Sequence, residues 1–141
     1  MESDFTVLLV EDEPADVHLT RMAFKQSRLL VNVYDVGDGV EALAFLRREG
    51  KYHDAPWPDI ILLDLNMPRM DGKTLLDHLK RDETLKRIPV IVLTTSEAET
   101  DVMDSYNLGC AGFVTKPVDL TQFLKAIQNV EDYWLTLVKR P

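Results

Sequence analysis

The sequence predicts an α/β fold in which a parallel sheet is covered by helices on both faces, and three observations carry this. Short runs of β-branched and aliphatic residues alternate five times with longer segments of helical period. Three of those runs, 6–10, 59–64 and 89–94, are almost wholly apolar, as strands buried on both faces are. The chain has 141 residues, 45% of them hydrophobic. That suits one domain, which can bury roughly 68% of its unfolded surface.

The elements follow in order. Thr6 to Val10 is the first strand. Pro14 stands where a helix's first turn tolerates a missing N–H, and Ala15, Leu19, Met22 and Ala23 follow at helical spacing. Val31 to Val36 alternates more than the other strands, which places it near a sheet edge. The second helix is expected from about Val40 to Glu49, with Gly50 as its stop. Lys51 to Pro58 is the longest connection and is polar enough to lie outside. Asp59 to Asp64 forms the third strand, Gly72 to Arg81 the third helix, and Pro89 to Thr94 the fourth strand. A fourth helix over about Glu97 to Asn107 ends at Gly109, and Gly112 to Thr115 is the fifth strand. The last helix is capped by Asp119 or Thr121, with Phe123, Ile127, Val130, Trp134 and Leu137 as one apolar stripe.

Charge and composition exclude several functions. With 16 Lys+Arg against 24 Asp+Glu the formal charge is −8, and the basic residues are scattered. Nucleic-acid binding draws its affinity from Lys and Arg on phosphates, so neither nucleic acid nor an anionic membrane surface is an expected partner. The apolar stretch Val7 to Val10 is too short for a signal sequence or a membrane span. A single cysteine, Cys110, offers no internal disulfide. A cytoplasmic protein is expected.

Ligands of parallel α/β sheets bind beyond the carboxyl ends of the strands. The first strand there runs into Glu11-Asp12-Glu13, the third ends in Asp64-Leu65-Asn66, the fourth in Thr94-Thr95-Ser96 and the fifth in Lys116-Pro117. Asp12 or Glu13 taken singly reads as a helix cap. Capping does not explain Asp64, which follows four apolar residues toward the same rim. Two carboxylates 4 Å apart repel by ~4 kcal/mol at an effective dielectric of 20. Such a rim calls for a cation, and all-oxygen donors favour Mg²⁺ or Mn²⁺ over zinc. Lys116 adds an ammonium and Thr94 a hydroxyl, which together form a receptor for a phosphoryl group with a carboxylate as nucleophile.

Glu11-Asp12, then Asp64 within Leu62-Leu63-Asp64-Leu65-Asn66-Met67-Pro68-Arg69-Met70-Asp71-Gly72, then Thr94, then Lys116-Pro117 resembles the receiver domain of two-component response regulators. The resemblance covers about residues 5 to 130. It implies a flavodoxin-like, doubly wound five-stranded sheet of order 2-1-3-4-5 with five helices. It makes residues 1–141 a single receiver domain whose helix-five extension reaches 141. By the same resemblance Asp64 accepts a phosphoryl group from a histidine kinase. Glu11, Asp12, Asp64 and the Asn66 carbonyl hold Mg²⁺, with Mn²⁺ as a substitute. Lys116 pairs with the phosphoryl group, while Thr94 and the aromatic Phe113 form the switch. Thr95 stands where Ala, Ser or Gly is common, and so bears on access to the phosphoryl group.

The terminal Val130-Glu131-Asp132-Tyr133-Trp134-Leu135 resembles, more narrowly, the single-domain regulators paired with bacterial and cyanobacterial phytochromes. That resemblance implies a phytochrome-type sensor kinase as partner and a homodimer on the face of helix four, strand five and helix five, with Tyr133, Trp134 and Leu137 in the interface. With the sequence closing at Pro141, the expectation is a stand-alone regulator that signals through protein contacts. It is not expected to be an enzyme beyond its own phosphoryl transfer and autodephosphorylation. Three other readings compete. A flavin- or nucleotide-binding module needs a Gly-rich or Ser/Thr-rich phosphate loop after the first strand, where Glu11-Asp12-Glu13 would repel phosphate. An aspartyl-phosphate phosphatase needs a general acid two residues after the nucleophile, where Asn66 stands. A receiver-like interaction module would keep these residues and turn over no phosphate.

Overall fold

The computed structural model describes residues 5–25, 31–65, 70, 72–95 and 112–116, with the backbone alone at 5, 23, 94–95 and 112–116. Five strands, β1 (Phe5–Val10), β2 (Val31–Val36), β3 (Ile60–Asp64), β4 (Val90–Thr95) and β5 (Gly112–Lys116), pair in the order β2-β1-β3-β4-β5. Every pairing is parallel. This is the flavodoxin-like receiver fold, and β2 lies at the edge, where its alternating pattern placed it. Three helices, α1 (Pro14–Lys25), α2 (Gly39–Arg47) and α3 (Gly72–Arg81), are described. The expected fourth and last helices, and with them Cys110, Tyr133, Trp134 and Leu137, lie outside the described residues.

Parity along the strands explains how the sheet is covered. Leu8 and Val10 of β1, Ile61 and Leu63 of β3, and Val90 and Val92 of β4 join Leu43 and Leu46 of α2 and Leu75, Leu76 and Leu79 of α3 in one core. Val7, Leu9, Ile60 and Leu62 point the other way and are buried as well. A strand apolar at every position is thus a strand packed on both faces. The start of β3 is clasped to β1, where Asp59 Oδ2 accepts the Thr6 amide at 2.7 Å and the Asp59 amide donates to the Thr6 carbonyl at 2.8 Å. Asp59 is therefore a clasp before the strand and not its first residue.

Helix ends differ from expectation in one respect. Asp38 caps α2, its Oδ1 accepting the Glu41 amide at 2.9 Å. Such a cap contributes about 1 kcal/mol. The stop expected at Gly50 is instead Arg48, which takes a left-handed conformation (φ 56) and sends its N–H back to the last turn. Gly50 is left-handed too (φ 57), but it opens a 3₁₀ turn over Gly50–Tyr52. The helix stops earlier, where the Arg48 N–H closes on the Ala44 and Phe45 carbonyls.

The connection 51–58 does not lie wholly outside, contrary to expectation. Tyr52 is half-buried against the core, its ring 5.4 Å from that of Phe45. Its hydroxyl donates to Glu41 Oε1 at 2.5 Å. Pro58 is buried, while Trp57 is exposed. Polar residue types hid the anchor because one ring is enough to hold a loop of this length.

Burial, and secondarily the hydrogen bond and charge of Glu41, push the Tyr52 phenol from 10.0 up to about 12. The folded protein thus holds this proton more tightly than the unfolded chain. Its stabilising contribution is complete below pH 10 and is lost as pH rises through about 12. Denaturant unfolding between about pH 9 and about pH 11 should lose stability more steeply in the wild type than in Tyr52→Phe. Equal slopes would show that Tyr52 does not titrate with folding.

Candidate functional site

The acid rim is built by the ladder. β1 continues one bond past Val10, the Glu11 amide donating to the Val36 carbonyl at 2.9 Å. β3 continues likewise past Asp64, the Leu65 amide donating to the Leu93 carbonyl at 3.3 Å. Val10 stands opposite Leu63 in the β1–β3 register, so Glu11 and Asp64 are the next residues of two neighbouring strands. Both are buried, Glu11 at 2% and Asp64 at 4% relative exposure, while Asp12 is exposed. One carboxylate oxygen from each of Glu11, Asp12 and Asp64 lies within 4.8 Å of the others.

Local structure holds each group. Glu11 Oε2 accepts the Glu13 amide at 3.1 Å, so the first turn after β1 fixes this carboxylate. The Glu13 carbonyl takes the Asp16 and Val17 amides, so the capping role expected of Asp12 or Glu13 falls to Glu13 and leaves Asp12 to the rim. After Asp64 the chain returns so closely that a Cβ on Gly72 would stand 2.5 Å from the Asp64 carbonyl oxygen and 2.6 Å from Leu65 Cα. Only glycine allows α3 to begin there, and its amide donates to the Leu65 carbonyl at 2.9 Å.

The other expected site residues fall on the same side of the sheet. Thr94 stands opposite Thr115, and Thr95 opposite Lys116, in the β4–β5 register. The ends of four adjacent strands therefore carry Glu11, Asp64, Thr94 and Lys116. Phe113 pairs with Val92, lower in β5. The backbone alone is described for Thr94, Phe113 and Lys116, and Asn66 lies outside the described residues. Beside Asp12 an open groove of about 590 Å³ runs past His18, Arg21 and Lys51 to Tyr52. Its two long cations are engaged, Arg21 with Asp35 at 2.5 Å and Lys51 with Glu41 at 3.6 Å.

The donor set fits a hard divalent cation, being three carboxylates with no nitrogen or sulfur. At 4.8 Å and an effective dielectric of 20, each pair of charges repels by roughly 3.5 kcal/mol. A cation on this rim would remove that repulsion, and a phosphoryl group would then meet a nucleophile.

The family model of the response regulator receiver domain matches residues 7–128. This chain belongs to that family. Response regulator Rcp1 of Synechocystis sp. is 43% identical over 135 residues, spanning 96% of this chain and 92% of that one. The phosphorylated cyanobacterial phytochrome response regulator RcpA shares the fold with a TM-score of 0.83 at 44% identity, over 94% of this receiver and 95% of RcpA. The Mn²⁺-bound form of Rcp1 gives a TM-score of 0.82 at 42% identity, over 97% and 99% of the two chains. The receiver therefore works in phosphorylation-based signalling, with a histidine kinase as its class of partner, and belongs to a family that binds divalent metal ions.

Sequence reasoning overlooked the groups that support the rim. Asp38 is buried at 6% exposure at the head of α2, and Asp38-x-x-Glu41 spacing was the available signal. Gly72 had no such signal, because a glycine forced by close approach looks like any other helix start.

Asp12→Asn removes one charge from the rim without touching the core. In metal-free buffer it should raise the unfolding free energy by about 2 kcal/mol, because exposed Asp12 repels two carboxylates, Glu11 and Asp64, each by roughly 0.9 kcal/mol in a water-like dielectric. Calorimetry should at the same time show weaker Mn²⁺ binding. Tighter binding, or a loss of metal-free stability, would contradict the electrostatic account.

Proposed function

We propose that Asp64 is the phosphoacceptor of a regulator served by a phytochrome-type sensor histidine kinase. The observation that carries this reading is the meeting of Glu11, Asp12 and Asp64 within 4.8 Å at the carboxyl ends of β1 and β3. Support for the kinase class comes from the phytochrome response regulator RcpA, 44% identical to this chain.

In this reading an Asp64 oxygen attacks the phosphorus of a phosphohistidine. The O–P bond forms as the N–P bond breaks, and the imidazole leaves with the electron pair. Water later cleaves the acyl phosphate, returning the carboxylate and inorganic phosphate, so the chain is a switch with self-catalysed turnover and not an enzyme with a separate substrate. Glu11, Asp12, Asp64 and the Asn66 backbone carbonyl would hold Mg²⁺, for which Mn²⁺ substitutes. Bound there, the ion would neutralise charge between carboxylate and phosphoryl oxygens. Lys116 pairs with one phosphoryl oxygen and the Thr94 hydroxyl donates to another. Phe113 follows Thr94 inward by packing alone, having no hydroxyl. The response reaches the face of the fourth helix, β5 and the last helix, where Tyr133, Trp134 and Leu137 join two copies.

Residues 1–141 act as one receiver unit in this proposal, with the core at about 5–130. A cytoplasmic setting suits it, and no helix among the described residues is long and apolar enough to cross a membrane.

With Mg²⁺ and acetyl phosphate, intact mass should rise by one phosphoryl group in the wild type and not in Asp64→Asn. Acid-labile phosphate retained on the variant would remove Asp64 as acceptor; an unmodified wild type would favour an interaction module without phosphate turnover. Separately, Trp134→Ala should weaken self-association in sedimentation. An unchanged dimer would take Trp134 out of the interface.

A further inference from the structure

The segment that follows Asp64 has a second seat, away from the carboxylates. The Gly39 amide, first in α2, donates to the Met70 carbonyl at 3.2 Å. A Cβ built on Gly39 would lie 2.7 Å from Met70 Cγ and 2.8 Å from both its Cβ and its Sδ. Gly39 is not among the residues of positive φ, so its backbone conformation does not call for glycine. The space does, because Met70 fills it.

Two of the three opposing atoms are Cβ and Cγ, close to the backbone. A methyl group at residue 39 therefore cannot be accommodated by swinging the end of a flexible side chain, and the backbone near Met70 must move. Met70 is half-buried and packs against the main core, so it does not move outward freely. On its other side lies Gly72, whose amide is bonded to Leu65 and which touches the Asp64 carbonyl. A displacement at residue 70 would therefore bear on Gly72 and on the backbone of the proposed phosphoacceptor. The α2 side of the contact is rigid as well, since buried Asp38 caps that helix.

We propose that Met70, seated in the notch left by Gly39, is a positioning residue for the Asp64 end of the acid rim, and that the Gly39–Met70 contact sets metal affinity from a distance. The inference deepens the reading of Glu11, Asp12 and Asp64 as metal ligands and rests on it. Groups that orient ligands without touching the metal commonly govern affinity about 10- to 100-fold.

The test uses Mn²⁺ titrated into the full chain, with free Mn²⁺ followed by electron paramagnetic resonance and folding checked by circular dichroism and Tm. Gly39→Ala should weaken Mn²⁺ binding about tenfold. Met70→Ala, which keeps the backbone hydrogen bond but loses the plug, should weaken it by less. The double variant should lose less affinity than the product of the two losses, because shortening Met70 removes two of the three opposing atoms and leaves only its Cβ, 2.8 Å from the new methyl. Wild-type Mn²⁺ affinity in folded Gly39→Ala, whatever its Tm, would overturn the proposal, since a purely structural contact moves Tm alone. If Gly39→Ala does not fold, Met70→Ala decides, and wild-type affinity there would overturn it. Asp12→Asn separates the two readings. Unchanged Mn²⁺ affinity in that variant would sink the acid rim as the metal site, and the positioning role with it, whereas a loss there beside wild-type affinity in Gly39→Ala would sink the positioning role alone.

Discussion

Two buried carboxylates side by side are unfavourable, and the fold is arranged to keep them there. Glu11 and Asp64 leave β1 and β3 on the same rim because the strands are parallel and in register, Val10 beside Leu63. Neither can retreat into solvent, since the backbone on each side is tied into the ladder, to Val36 and to Leu93. Burying charge costs several kcal/mol. The interior of the sheet, apolar on both faces, supplies the stability that tolerates this cost. Repulsion so maintained would make binding of a divalent cation favourable, and the proposed transfer of an anionic phosphoryl group to Asp64 would use that cation.

The surroundings of the rim serve the same constraint. Glycine at 72 lets α3 begin against the carbonyl of Asp64, and Asp59 clasps the start of β3 to Thr6. Further out, Asp38 caps α2 and Tyr52 ties the following connection back to Glu41 of that helix. Each of these holds backbone and not carboxylate. Of the three carboxylates Asp12 alone stays exposed, which leaves the rim one side open to solvent.

Most strands could be read directly, because burial on both faces leaves runs such as Ile60 to Leu63 with no polar residue at all. Boundaries were less legible. Glycine is the usual left-handed residue, which points to Gly50 as the stop of the second helix, yet Arg48 takes that conformation and closes its N–H on the Ala44 and Phe45 carbonyls. The connection 51–58 is polar enough in Lys51, His53 and Asp54 to suggest an external loop, and no local pattern announces a single ring packed on Phe45.

The chemistry at the rim was legible because strand ends in a parallel sheet converge, so Glu11, Asp12 and Asp64 could be named together from their order along the chain. Charge and the absence of nitrogen or sulfur donors then limited the cation. What needed the folded chain was everything measured across it: that the three carboxylates meet within 4.8 Å, that Glu11 and Asp64 are buried while Asp12 is not, and that Gly39 and Gly72 are glycines for lack of room. The physical reason is range. Strand periodicity and residue chemistry are local and are written in neighbouring residues, whereas close approach between Met70 and Gly39, or between Gly72 and Asp64, exists only once distant segments have packed.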